Sequence, residues 1–188
     1  MRLLLLVLLA LPLSAAAQDD AHPPLISRGT LLIDGRAHAS RTTDDLTEHM
    51  AVAASPRLGV FVTDALAVGA DVRAGYSRQT VETLGQSERT TRLYAAPFVA
   101  YYLGAPAWTV RPFASTSVGG EAVRTTREGP TGTPTIRTTR LSGEFSAGAL
   151  VRLGTNVGLT GEAVYGWSRA LDEGATSLRG GVAVFLGR

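Results

Sequence analysis

From Leu66 to Ser77 the chain alternates without a break. Leu66, Val68, Ala70, Val72, Ala74 and Tyr76 form an apolar row, and Ala67, Gly69, Asp71, Arg73, Gly75 and Ser77 sit between them. A period of two marks a strand with two unlike faces. Thr63-Asp64-Ala65 turns this strand back onto the one before it, so residues 56–77 read as a hairpin. The pattern alone leaves its sidedness open. In a soluble sandwich the apolar row faces a core; in a transmembrane barrel it faces lipid, and Asp71 and Arg73 face the lumen.

The same alternation predicts eight strands, at about 29–40, 48–61, 66–79, 90–103, 109–124, 136–153, 157–168 and 177–186. Pro56 inside the second predicts a bulge or local break, because proline cannot donate to the ladder. In the fourth, Tyr94, Phe98 and Tyr102 leave the lumenal face as apolar as the other. Short connections (62–65, 104–108, 154–156) alternate with longer polar ones (41–47, 80–89, 125–135, 169–176). A barrel with periplasmic turns and extracellular loops sorts its connections in this way. Trp108, Tyr101 and Tyr102 near one end, and Tyr76, Tyr165 and Trp167 toward the other, suit two aromatic girdles. The expected fold is all-β: an eight-stranded antiparallel transmembrane barrel, an up-and-down meander.

Composition narrows the choice. The 188 residues include no cysteine, and all 18 basic residues are arginine. Disulfides and cysteine-ligated metal are excluded. The formal charge is only +2, with arginines interleaved among carboxylates, so nucleic acid is not an expected partner. Residues 1–17 carry Arg2, an apolar run from Leu3 to Leu13 and the small residues Ala15-Ala16-Ala17. That pattern reads as a Sec signal peptide. Its apolar run is too short to span a bilayer as a helix, and no later stretch is long enough. A short periplasmic tail is expected over 18–28 and the barrel over 29–188.

Ser55-Pro56-Arg57-Leu58-Gly59-Val60-Phe61-Val62-Thr63-Asp64-Ala65-Leu66-Ala67-Val68-Gly69 resembles the "SPxxGYFVTDNLAxG" hairpin of small outer-membrane β-barrel, porin-family proteins. Pro97-Phe98-Val99-Ala100-Tyr101-Tyr102-Leu103 resembles their "PFxRYY" strand. Val60 stands where tyrosine is usual, and Ala100 where arginine is usual. Arg179 to Leu186 resembles the closing signal read by the barrel assembly machinery, although the chain ends Gly187-Arg188 without an aromatic residue. The resemblance implies an eight-stranded barrel of OmpX or OmpA-domain type in the bacterial outer membrane. It carries no shared catalytic site.

The candidate lumenal residues are Asp34, Arg36, Arg57, Asp71, Arg73, Arg92, Arg111, Glu121, Arg140, Glu144, Arg152, Glu162 and Arg179. An eight-stranded barrel is just wide enough for side chains to fill it, so these are expected to pair as a structural plug. Arg-Thr-Thr occurs at Arg41, Arg89, Arg124 and Arg137, beside the long connections. With Arg92 and Arg127 these arginines suggest a ring of guanidinium groups at the depth of lipopolysaccharide phosphates. His38 and His49, with Ser40 nearby, are the only candidates for catalysis on outer-leaflet lipid. No motif supports them, and the three scattered histidines predict no metal site. The expected role is non-enzymatic: structural, or a surface interaction that is adhesive or contacts lipopolysaccharide, in a monomer without cofactor. Two alternatives stay open, a barrel enzyme acting on lipid A and a soluble periplasmic ligand-binding barrel.

Overall fold

The computed structural model describes residues 26–43, 47–81, 86–129, 132–168 and 173–187; the expected leader and most of the tail lie outside them. Eight strands follow in order: β1 (Leu31–Thr43), β2 (Thr47–Phe61), β3 (Leu66–Val81), β4 (Gln86–Tyr102), β5 (Val110–Glu128), β6 (Thr135–Arg152), β7 (Val157–Ser168) and β8 (Glu173–Leu186). Each pairs antiparallel with its neighbours, and β8 pairs with β1 to close a barrel. Closure leaves no sheet edge at the seam, which is what permits strands to cross lipid. Among the described residues no helix is long and apolar enough to cross a membrane.

The alternation holds in every strand. Leu58, Leu93, Phe145, Leu159 and Leu178 are among many large apolar side chains exposed on the outside, while Asp34, Arg57, Asp71 and Arg111 are buried inside. A soluble barrel would reverse this. An outward apolar belt with charge inside needs an apolar surrounding.

Pro56 breaks the ladder without bulging it. Ala54↔Ala74 and Arg57↔Asp71 keep one register across the gap. Pro97 interrupts pairing with β5 in the same way, between Ala95↔Gly120 and Phe98↔Ser117. A missing N–H removes a hydrogen bond but adds no residue, so the register has no reason to shift.

The long outer loops are mostly strand. β3 continues to Val81, β4 starts at Gln86, β5 reaches Glu128 and β6 starts at Thr135. Their Arg-Thr-Thr segments meet across the ladder, as in Thr90↔Thr125 and Arg124↔Arg137, and threonine suits such a pleated surface. The sidedness lies in strand overhang. A membrane crossing takes about 9–11 residues per strand, whereas β4, β5 and β6 have 17, 19 and 18. β7 has 12, and β1 pairs with β8 only from Leu31↔Leu186 to Ala37↔Gly180. The barrel therefore has a tall wall, β3–β6, and a low one, β7–β8–β1. The end bearing connections 62–65, 103–109 and 153–156 is called the base, and the opposite end the rim.

Candidate functional site

Inside the barrel the side chains form layers. At the base Ile26, Leu32, Phe61, Tyr102, Phe113, Leu150 and Phe185 make one buried cluster. Ring centroids lie 5.2 Å apart for Phe61–Tyr102 and 5.4 Å for Tyr102–Phe113. Tyr102 thus belongs to the lumen, not to a girdle. Its even position in β4 points inward, whereas Tyr101 points out. Arg111 lies beneath these rings. It donates to the carbonyls of Asp64, Tyr102, Leu103 and Gly104 at 3.2–3.3 Å and so ties two base connections together. At Gly104, φ is +81° and the Trp108 ring covers the Cα, so a side chain would be both strained and blocked. Arg152 also stays at the base and donates to the Gly154 carbonyl.

The charge layer comes next. Arg36 donates from Nε to Asp34 at 2.7 Å and from Nη1 to Glu162 at 2.7 Å. Its Nη2 is 2.5 Å from Asp34 but off the hydrogen-bond direction. Arg57 pairs with Asp71 at 3.0 Å and stacks on Phe98 at 4.4 Å from the ring centroid. Gly59 leaves the room that ring needs, since a Cβ there would come within 2.7 Å of it. Higher up, Arg179 grips Glu144 with two bonds of 2.9 and 2.7 Å, and Arg73 pairs with the same carboxylate. Arg140 and the Ser142 hydroxyl both donate to Glu121. The Arg36–Glu162, Arg73–Glu144 and Arg179–Glu144 pairs join strands that are not neighbours in the sheet, across the barrel bore.

Above Glu144 the bore opens into a cavity of about 390 Å³. Arg92 and Tyr94 form one wall and Arg140, Ser142 and Ser168 another, while Ala53 and Gly75 leave the space empty. Neither His38 nor His49 lines it. Their paired positions, His38↔Ala53 and Thr42↔His49, place them four residues apart along the strands, about 13 Å. No hydrogen bond joins them or Ser40 among the described residues, and no acidic and histidine group there could hold a metal.

At the rim five outward rows carry an arginine above their last apolar residue: Arg41 above Ala39, Arg78 above Tyr76, Arg89 above Leu93, Arg124 above Ala122 and Arg137 above Leu141. Arg41 is paired with Glu48 at 2.8 Å, and Arg89 meets Glu128 at 3.3 Å. Arg78↔Arg89 and Arg124↔Arg137 are directly opposite across their ladders. Arg89 and Arg124 are diagonal neighbours between the two pairs. Arg78, Arg124 and Arg137 have no ion-pair partner among the described residues. The expected ring is therefore a one-sided face on the tall wall. Arg92 and Arg127 leave it: both are on inward rows, Arg92 at the cavity and Arg127 on Glu88 at 2.7 Å. Sequence reasoning missed Arg78, although the apolar row of β3 runs straight to it two residues beyond Tyr76.

No protein-family model matches this chain, and no characterised protein matches it in sequence. Solved structures do match in shape. The N-terminal β-barrel domain of Pseudomonas aeruginosa OprF superposes with a TM-score of 0.52 at 14% identity, covering 85% of this chain and 98% of that one. The fold is that of small outer-membrane barrels. A major outer membrane protein from Thermus thermophilus gives 0.55 at 12% identity, covering 84% and 99%. Pseudomonas aeruginosa OprG gives 0.53 at 12%, covering 87% and 98%. At such identities the likeness concerns architecture alone. The rim arginines and the lumenal pairs are read from this chain's own geometry.

Proposed function

We propose that this chain is an exported, monomeric protein of the bacterial outer membrane that works at the outer leaflet rather than as a pore or an enzyme. Its tall wall holds phosphorylated lipid headgroups, those of lipopolysaccharide, against the arginine face of β3–β6. The observation that carries this reading is the two pairs of opposed arginines, Arg78↔Arg89 and Arg124↔Arg137, at the upper edge of the apolar belt. Like charges directly opposite cost stability in a sheet, on the order of 0.2–1 kcal/mol per pair. A phosphate between two guanidinium forks turns that repulsion into charge-assisted hydrogen bonds. The belt below supplies the acyl contact, with Tyr76 next to Arg78 in its outward row, and Leu93 and Leu141 one step further on, past Thr91 and Thr139.

The filled bore favours a closed barrel. The aromatic layer and the buried ion pairs occupy the bore at the base, which supports a barrel too narrow to conduct. The test is thermal unfolding of the folded barrel with and without added lipopolysaccharide. Lipopolysaccharide should raise the midpoint for the native chain. A variant with Arg78, Arg89, Arg124 and Arg137 all replaced by Ala should keep heat-modifiable gel mobility and lose that gain. An unchanged gain in the variant rejects the reading.

A further inference from the structure

The cavity above Glu144 is rich in donors and poor in acceptors. Four guanidinium groups border it (Arg73, Arg92, Arg140 and Arg179) against two carboxylates, Glu121 and Glu144. Among the described residues Glu144 is engaged through both oxygens and Glu121 through Oε2 alone. Glu144 accepts from Arg73 and twice from Arg179, and Glu121 accepts from Arg140 and Ser142. Donors are left over. Arg92 has no hydrogen-bond or ion-pair partner among the described residues, although it lies near enough to attract Glu121 electrostatically. Among the described residues Arg140 spends only Nε, on Glu121, and the enclosed Ser168 hydroxyl has no partner. The charge layer below has the opposite balance. There Arg36 and Arg57 face Asp34, Asp71 and Glu162, and the Asp34 Oδ1, Asp71 Oδ1 and Glu162 Oε2 atoms are unpartnered among the described residues.

A site whose four guanidinium groups outnumber its two carboxylates calls for a negatively charged guest. We infer that the outer cavity is a binding site for a small organic oxyanion, a carboxylate or phosphate, entering from the rim and held by Arg92, Arg140 and Ser168. Its volume, about 390 Å³, falls at the lower end of small-molecule sites. Planar guanidinium forks suit both anion chemistries. The low wall, where β1 and β8 stop pairing above Ala37↔Gly180, places the mouth of the cavity close to solvent. This site faces inward and is independent of the outer arginine face.

The test uses the full barrel in detergent micelles with ¹⁵N-labelled arginine. Inorganic phosphate and citrate are titrated separately at constant ionic strength, and the side-chain Nε–H signals are followed. Arg92 and Arg140 should shift together and saturably with one of the two, which also names the preferred anion. Arg92→Ala should weaken that binding at least tenfold, the scale of a lost charged hydrogen bond. Arg92→Lys should fall between, and Ser168→Ala should cost less. Arg28→Ala, an exposed cation at the base, should change nothing. Gel mobility of each variant reports folding. Should Arg92→Ala misfold, Arg92→Lys and Ser168→Ala carry the comparison. Linear shifts with both anions, or an affinity indifferent to Arg92 and Ser168, overturn the site.

Discussion

The two halves of the lumen follow one alternation and end up as different materials. Near the base the inward rows carry Phe61, Phe98, Tyr102, Phe113 and Phe185, and these side chains are buried in the bore. Toward the rim the rows of β2 and β3 offer Ala51, Ala53, Gly75 and Ser77, and the bore opens. The cylinder is the same at both levels. Side-chain volume at inward positions decides where an eight-stranded barrel is plugged and where it is hollow. Charge balance follows the division. The enclosed layer pairs its charges strand to strand, because an unpaired charge without water is expensive. The open level tolerates an unpaired Arg92, because water reaches it.

This contrast can be broken from the base first. Phe61→Ala removes a fully buried ring from the plug and should cost about 3–5 kcal/mol in urea unfolding from lipid vesicles. A loss below about 1 kcal/mol would mean that the base layer is not packed as described. At the boundary, Glu144→Ala leaves Arg73 and Arg179 facing each other. Its side chain is about 10% exposed, so the expected loss is somewhat smaller, about 2–3 kcal/mol. Glu144→Gln should recover part of it by keeping a hydrogen-bond acceptor. In planar bilayers the native chain should pass no steady ionic current. Ala53→Phe, which puts a ring into the hollow half, should leave that unchanged and abolish the saturable oxyanion shifts. At the rim, Arg137→Ala should change stability least, within about 0.5 kcal/mol. The sign should be a slight gain without lipopolysaccharide, from relief of the opposed Arg124, and a loss with it. Equal behaviour in both conditions would count against phosphate bridging.

The legible parts of this protein were those with period two. Every lumenal charge named from the sequence lies on an inward row, and β7 begins and ends at the expected residues. The rim was less legible. Arg92 and Arg137 both flank a Thr-Thr step, and only parity counted from the strand centre separates a lumenal arginine from a lipid-edge one. The same parity separates Tyr101 from Tyr102. The outer connections were misjudged for a related reason: polar Thr-rich segments resemble loops in composition but pair well in a ladder.

The sequence by itself determined the strands, their two faces, the meander and the outward apolar belt, because side-chain direction in a strand depends only on local backbone geometry. It could not determine partners. Which carboxylate Arg36 or Arg179 meets, which arginines oppose each other, and where the bore closes depend on register and closure, which bring residues more than a hundred positions apart within 3 Å, as with Arg36 and Glu162. Only the closed barrel turned scattered arginines into a paired core, a hollow with spare donors and a one-sided basic rim.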